Sequence, residues 1–111
     1  MKREELLKKL TSVGVVSVVR ADTPAKAVKI ADAVITGGVK GIELTYTVPH
    51  ADSVINDLVE KHGNDALIGA GTVLDATSAR LAISAGAEFI VSPTFDIEVA
   101  KMCNLRPLYT S

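Results

Sequence analysis

Short apolar runs rich in β-branched residues alternate along this chain with longer stretches of helical periodicity. Val13 to Val19, broken only by Gly14 and Ser17, reads as a first strand. Asp22 or Thr23 then caps a helix with Pro24 in its first turn. Its apolar positions are Ala27, Ile30, Ala31, Val34 and Ile35, and Gly37-Gly38 ends it. A second strand is predicted from about Gly41 to Tyr46, and Thr47-Val48-Pro49 forms a loop. The next helix holds Val54, Ile55, Leu58 and Val59 inside, and His62-Gly63-Asn64-Asp65 forms a turn. Ala66 to Ala70 is a third strand, and Asp75 or Thr77 starts a helix that keeps Ala79, Leu81, Ala82 and Ile83 apolar and ends at Gly86. Ala87 to Val91 is a fourth strand. Phe95 to Cys103 has the pattern of a helix, and Pro107-Leu108-Tyr109 begins a fifth strand. Ahead of all these, Lys2 to Leu10 puts Leu6, Leu7 and Leu10 on one face of a short helix.

Consecutive strand–helix units require parallel strands joined by right-handed crossovers. Two architectures meet that requirement: a doubly wound sheet or a (β/α)8 barrel. A weak internal repeat supports the regular alternation. Ile35-Thr36-Gly37-Gly38-Val39-Lys40-Gly41-Ile42-Glu43 is echoed by Ile83-Ser84-Ala85-Gly86-Ala87-Glu88-Phe89-Ile90-Val91, each a helix end, a glycine turn and a strand.

Composition narrows the function classes. The 111 residues are 48% hydrophobic but only 4% aromatic, without Trp, so the core is built from Ala, Val, Ile and Leu, as packed parallel strands require. A net charge of −1 argues against a nucleic acid or an anionic membrane recruited by bulk charge. Cys103 is the single cysteine, so no internal disulfide forms and a reducing compartment is expected. The charged start Met1-Lys2-Arg3-Glu4-Glu5 is no apolar signal region, and no apolar run is long enough to span a bilayer. The expectation is a soluble cytoplasmic protein of one domain, or a piece of one.

Four positions carry candidate chemistry. Glu43, in the run Gly41-Ile42-Glu43-Leu44-Thr45, is a carboxylate placed toward the end of a strand, where burial is costly. It is either catalytic or a satisfied structural Glu. In Gly69-Ala70-Gly71-Thr72-Val73 the third glycine of a dinucleotide loop is missing, since position 74 is Leu. The two glycines either let the backbone approach a small ligand, with the Thr72 hydroxyl at the strand end, or make a tight connection. Ser92-Pro93 ends the fourth strand as a rigid turn or as a pocket wall. Arg20 ends the first strand, solvated or positioned beside Glu43 and Thr72 to bind a carboxylate or set the carboxyl's pKa. All four fall at one rim, and a barrel carries its chemistry at the C-terminal ends of its strands. His50 and His62 lie in loops without a second ligand at metal spacing, so no metal site is expected. Cys103 reads as inert packing, and Lys26, Lys29 and Lys101 read as a solvated face.

Taken together, Val18-Val19-Arg20-Ala21, Gly38-Val39-Lys40-Gly41-Ile42-Glu43-Leu44-Thr45, Ile68-Gly69-Ala70-Gly71-Thr72-Val73 and Gly86-Ala87-Glu88-Phe89-Ile90-Val91-Ser92-Pro93 resemble the 2-keto-3-deoxy-6-phosphogluconate (KDPG) and 4-hydroxy-2-oxoglutarate (KHG) aldolases. The resemblance runs from about Glu4 to Cys103. It implies a (β/α)8 TIM barrel, represented here by the first four βα units and the start of strand five. It also implies a trimer and a cofactor-free class I lyase that splits a 2-keto-3-deoxy sugar acid phosphate into pyruvate and an aldehyde. Glu43 matches the family's proton-transferring glutamate, Thr72 the threonine that holds the pyruvate carboxylate, Pro93 the pocket proline and Arg20 the arginine ending strand one. Thr47 stands where some members carry a carboxylate-binding arginine, so Arg20 is left to supply the positive charge.

The Schiff-base lysine implied by the resemblance belongs to strand six, beyond these residues. No lysine here ends a strand on the active rim, and Lys40 lies at the opposite end. The expectation is therefore the N-terminal half of a Schiff-base aldolase, inactive by itself. The alternatives are a non-catalytic (βα)4 half-barrel that self-associates and, more distantly, a phosphate-sugar isomerase on a similar barrel.

Overall fold

The computed structural model describes residues 4, 5, 8, 14–91, 101, 109 and 110, with backbone alone at 109 and 110. Five strands, β1 (Val16–Val19), β2 (Gly41–Thr45), β3 (Leu67–Gly71), β4 (Phe89–Ile90) and β5 (Tyr109–Thr110), form one sheet. Between them lie the helices α1 (Pro24–Thr36), α2 (Ala51–His62) and α3 (Ala76–Ala85). Every pairing is parallel, and the strand order in space is the order in the chain, β1-β2-β3-β4-β5. A doubly wound sheet reverses its strand order at a switch point. None occurs here, so the sheet winds in one direction, as the wall of a barrel does.

Strand alternation gives each strand a helix-facing and an inner side. In β2, Ile42 and Leu44 are fully buried, and Ile68 and Ala70 of β3 stand in register with them. With Val19 and Ile90 these four form the sheet's half of the core. The helices supply Ala27, Ala31 and Ile35 from α1, Val54, Ile55 and Leu58 from α2, and Ala79, Ala82 and Ile83 from α3. Ile30 and Leu81, expected inside, are 41% and 48% exposed. The small Ala residues let the helices lie close to the sheet, so the buried stripe is narrower than the run of apolar positions.

The ends of the elements follow from local chemistry. Thr23 caps α1 by accepting a hydrogen bond from Lys26 N at 3.2 Å, and Asp75 caps α3 by accepting one from Ser78 N at 2.7 Å. At the other ends the sequence repeat becomes a repeated Schellman turn. Gly38 N donates to Ile35 O and Val39 N to Val34 O, at 2.9 and 3.2 Å. Gly86 N donates to Ile83 O and Ala87 N to Ala82 O, both at 3.0 Å. Gly38 and Gly86 have φ of 105° and 109°, which side chains resist.

His62 is the last residue of α2 rather than a loop residue, and it is engaged. Its Nε2 lies 2.7 Å from Asp32 Oδ1, while Lys61 Nζ lies 2.9 Å from Asp32 Oδ2, tying α2 to α1. The hydrogen bonds from His62 and then Lys61 hold the Asp32 carboxyl below its ordinary value. This tie is therefore present above the ordinary carboxylate range and is lost as the pH falls through the lowered value. Lys26, Lys29 and Lys101 are exposed, as expected. Glu4, Glu5 and Lys8 are helical and exposed, whereas Leu6, Leu7 and Leu10, and all of the helix expected at Phe95 to Cys103 except the helical Lys101, lie outside the described residues.

The two Schellman glycines differ in surroundings. A Cβ at Gly38 would meet nothing within 4 Å, whereas one at Gly86 would stand 3.2 Å from Val59 Cγ1. Both G38A and G86A should lose about 1–2 kcal/mol from backbone strain. Chemical denaturation should place G86A below G38A, because it also crowds α2; equal losses would mean that Val59 yields freely.

Candidate active site

The inner face of the sheet carries the chemistry. Glu43 stands in register with Val18 of β1 and Gly69 of β3, and Thr45 stands opposite Gly71. The two glycines of β3 therefore leave two gaps in one face, one level apart. Both gaps are filled by side chains of the chain itself. A Cβ at Gly69 would overlap the Phe89 ring, and a Cβ at Gly71 would fall 2.6 Å from Cδ and 2.8 Å from Cγ of Glu43. The glycines thus make room for Phe89 and Glu43, which corrects the expectation of a backbone laid bare for a ligand.

Glu43 is the central residue of β2, not its last. Phe89 occupies the level of its register partner Gly69, and the Glu43 side chain leans forward over Gly71, toward the C-terminal end of the strands. The carboxylate reaches the expected rim by this lean. It is half-buried and has no hydrogen-bond or ion-pair partner among the described residues. Burial alone pushes its carboxyl above the ordinary value.

The other expected residues are placed unequally. Thr72 follows β3 directly, half-buried, with φ of 55°. A β-branched residue in the left-handed region is strained, by about 1–3 kcal/mol, and such strain gathers at functional sites. The ladder resumes past it, with Val73 N donating to Val91 O at 3.2 Å. Arg20 directly follows β1 and is exposed, and it makes no ion pair with Glu43. It therefore does not set the carboxyl's pKa, which is shifted by desolvation instead. Thr47 is exposed in the turn after β2. Ser92 and Pro93 lie outside the described residues.

Sequence reasoning missed Thr45 and Phe89. Thr45 is 1% exposed, and its Oγ1 has no hydrogen-bond partner among the described residues. Phe89 was read only as a strand residue, although two glycines spaced by two on a neighbouring strand signal a gap that a large side chain fills. The Tyr46 hydroxyl is also buried without a partner; burial first, then the Asp52 and Asp75 carboxylates, push it up. Among the described residues no three His, Cys, Asp or Glu side chains gather at metal-holding distance, and no helix is long and apolar enough to cross a membrane.

The family model of the KDPG and KHG aldolases matches residues 6–108. The chain belongs to this family. The 2-dehydro-3-deoxy-phosphogluconate aldolase of Treponema pallidum is 39% identical over 95 residues, covering 85% of this chain and 44% of the relative. A solved native KDPGal structure superposes with a TM-score of 0.77 at 29% identity, over 86% of this chain and 46% of that one. The KDPG aldolase of Legionella pneumophila, solved with pyruvate captured as a covalent carbinolamine, gives 0.71 at 28% identity, over 86% and 45%. The sheet described above is thus the first part of a (β/α)8 barrel, and the chain spans slightly under half the length of these relatives.

An unpaired, half-buried carboxylate has a stability signature. A folded-state pKa raised above the unfolded value means that stability is lost as the pH rises from the ordinary carboxylate range through the raised value. Glu43→Gln should therefore melt at a higher temperature than the wild-type chain at pH 7. The gain should vanish near about pH 3, where the carboxyl is protonated in both states. Thermal melts across that range check this, and a gain that persists at the acid end would assign it to packing instead.

Proposed function

We propose that this chain forms the acid/base half of a class I aldolase that cleaves 2-keto-3-deoxy-6-phosphogluconate or 4-hydroxy-2-oxoglutarate to pyruvate and an aldehyde. The observation that carries the reading is Glu43: a half-buried carboxylate without a charge partner among the described residues, leaning toward the C-terminal rim, in a chain of the KDPG and KHG aldolase family. A carboxyl raised by burial holds its proton to higher pH than an exposed one, which suits it to giving as well as taking protons. The carbinolamine captured in the Legionella relative supports Schiff-base chemistry.

In this reading a lysine amine from a later strand, outside these residues, adds to the C2 carbonyl, and the carbinolamine loses water to give an iminium. The C4 hydroxyl then gives up its proton, the C3–C4 bond breaks, and its electrons pass into the iminium as an enamine. Protonation at C3 and hydrolysis release pyruvate. Glu43 serves, through water, in the dehydration and in the proton transfers that make and consume the enamine. Thr72 donates to the pyruvate carboxylate, Arg20 supplies positive charge where Thr47 has none, and Pro93 lines the pocket. No cofactor is required, and the setting is a cytoplasmic homo-oligomer.

Pyruvate trapping with borohydride, read by intact mass, tests the division of labour. The 111-residue chain should show no adduct at a specific lysine and no aldol cleavage above background. A complete barrel carrying these residues should trap pyruvate. Glu43→Gln in that barrel should keep the adduct while turnover falls ~10²–10⁴-fold. Turnover within a few-fold of wild type would make Glu43 structural.

A second reading has its own observation. Val16 and Val18 of β1, which share the inner face, are 39% and 60% exposed, an apolar strip that favours a self-associating half-barrel. β3 shows no such exposure, since all five of its residues are buried. Light scattering on the 111-residue chain separates the readings: a compact monomer at micromolar concentration removes the self-associating module.

A further inference from the structure

We propose that Thr45 is a positioning residue whose hydroxyl holds the water through which Glu43 exchanges protons with substrate. The inference rests on the aldolase reading and adds to it a residue outside the four matched positions.

Thr45 lies two residues after Glu43, so strand alternation puts both side chains on the inner face. Two residues along a strand stand about 6.6 Å apart, which is too far for these short groups to touch if both stand upright. The Glu43 carboxylate, however, leans over Gly71, and Gly71 is the register partner of Thr45. The lean therefore brings the carboxylate to the level of Thr45. That level is fixed, because Tyr46 N donates to Gly71 O at 2.8 Å and Val48 N to Thr45 O at 3.0 Å.

Both groups lack partners. Thr45 is 1% exposed and its Oγ1 meets no donor or acceptor among the described residues. A buried hydroxyl left unpaired is unfavourable, and valine of the same shape would remove the cost. The Glu43 carboxylate, brought to the same level, is equally without a hydrogen bond among the described residues. A water between them satisfies both, since the hydroxyl can donate to it while it donates to the carboxylate. The other orphan, the Tyr46 hydroxyl, does not compete, because Tyr46 falls on the helix-facing side by the same alternation and packs against the core there.

Thr45→Val and Thr45→Ser test the inference in two settings. In a complete barrel carrying these residues, T45V should lower kcat ~10–100-fold, as misplacement of a proton-transfer partner does. KM and pyruvate trapping should stay at wild-type levels, and T45S should restore most of the rate. In the 111-residue chain, NMR titration of the Glu43 carboxyl should show it moved to higher pH by T45V and returned by T45S, because a hydrogen bond to the charged form is lost and regained. Unchanged kcat with an unchanged titration would overturn the inference and leave Thr45 as packing. Failure of the parent barrel to trap pyruvate would instead overturn the aldolase reading and the catalytic part of this one, while the titration still decides whether Thr45 and Glu43 share a water.

Discussion

The absence of a side chain at Gly71 is the constraint on which the site depends. A carboxylate on a central parallel strand has three ways to go: outward into the barrel, back toward its own register partner, or forward. The Phe89 ring fills the level of Gly69, and only the bare backbone of Gly71 leaves the forward path open. The same pair of glycines thereby makes two layers, an apolar one below and an ionisable one above. Burial in the upper layer is the physical source of the raised carboxyl of Glu43. An aromatic ring and a carboxylate stacked on alternate glycines make a site whose polarity changes within one strand repeat.

The unfavourable features gather at this edge, and the favourable ones lie elsewhere. Thr72 holds a left-handed backbone, and among the described residues the Thr45 hydroxyl is unpaired and the half-buried Glu43 has no counter-charge. Thr23 and Asp75 cap α1 and α3, α1 and α2 are tied through Asp32, and the helix-facing core is closed by Ile42, Leu44, Ile55, Leu58 and Ile68. Local rules broken at one rim and obeyed throughout the rest are what a functional site on a stable scaffold requires.

Much of this was legible in the chain because the signals are local. Thr23 before Pro24, Asp75 before Ala76, and glycine at 38 and 86 each act within a few residues, so the bounds of α1 and α3 are nearly those expected. The apolar character of β2 and β3 could be read for the same reason. What escaped depends on partners far along the chain. Whether Ile30 and Leu81 face in is decided by how closely alanines bring the helices to the sheet. Whether the strands wind singly or doubly is decided by pairing order. That Gly69 and Gly71 accommodate Phe89 and Glu43, rather than a ligand, is decided by side chains from two other strands. The weight of Thr45 follows from the lean of Glu43, which no spacing encodes.

The strand order also bears on how the protein is made. Each strand hydrogen-bonds to the one synthesised immediately before it, and none waits for a distant segment to be inserted between neighbours already in place. A sheet that grows only at its newest edge can assemble in the order in which it leaves the ribosome, one strand and one helix at a time, without undoing earlier pairings. Val16 and Val18 of β1 are made before the inner-face residues of the other described strands and, because a barrel closes by joining its ends, wait longest for a neighbour on their free side. The burden of avoiding premature association during synthesis falls on that opening strand.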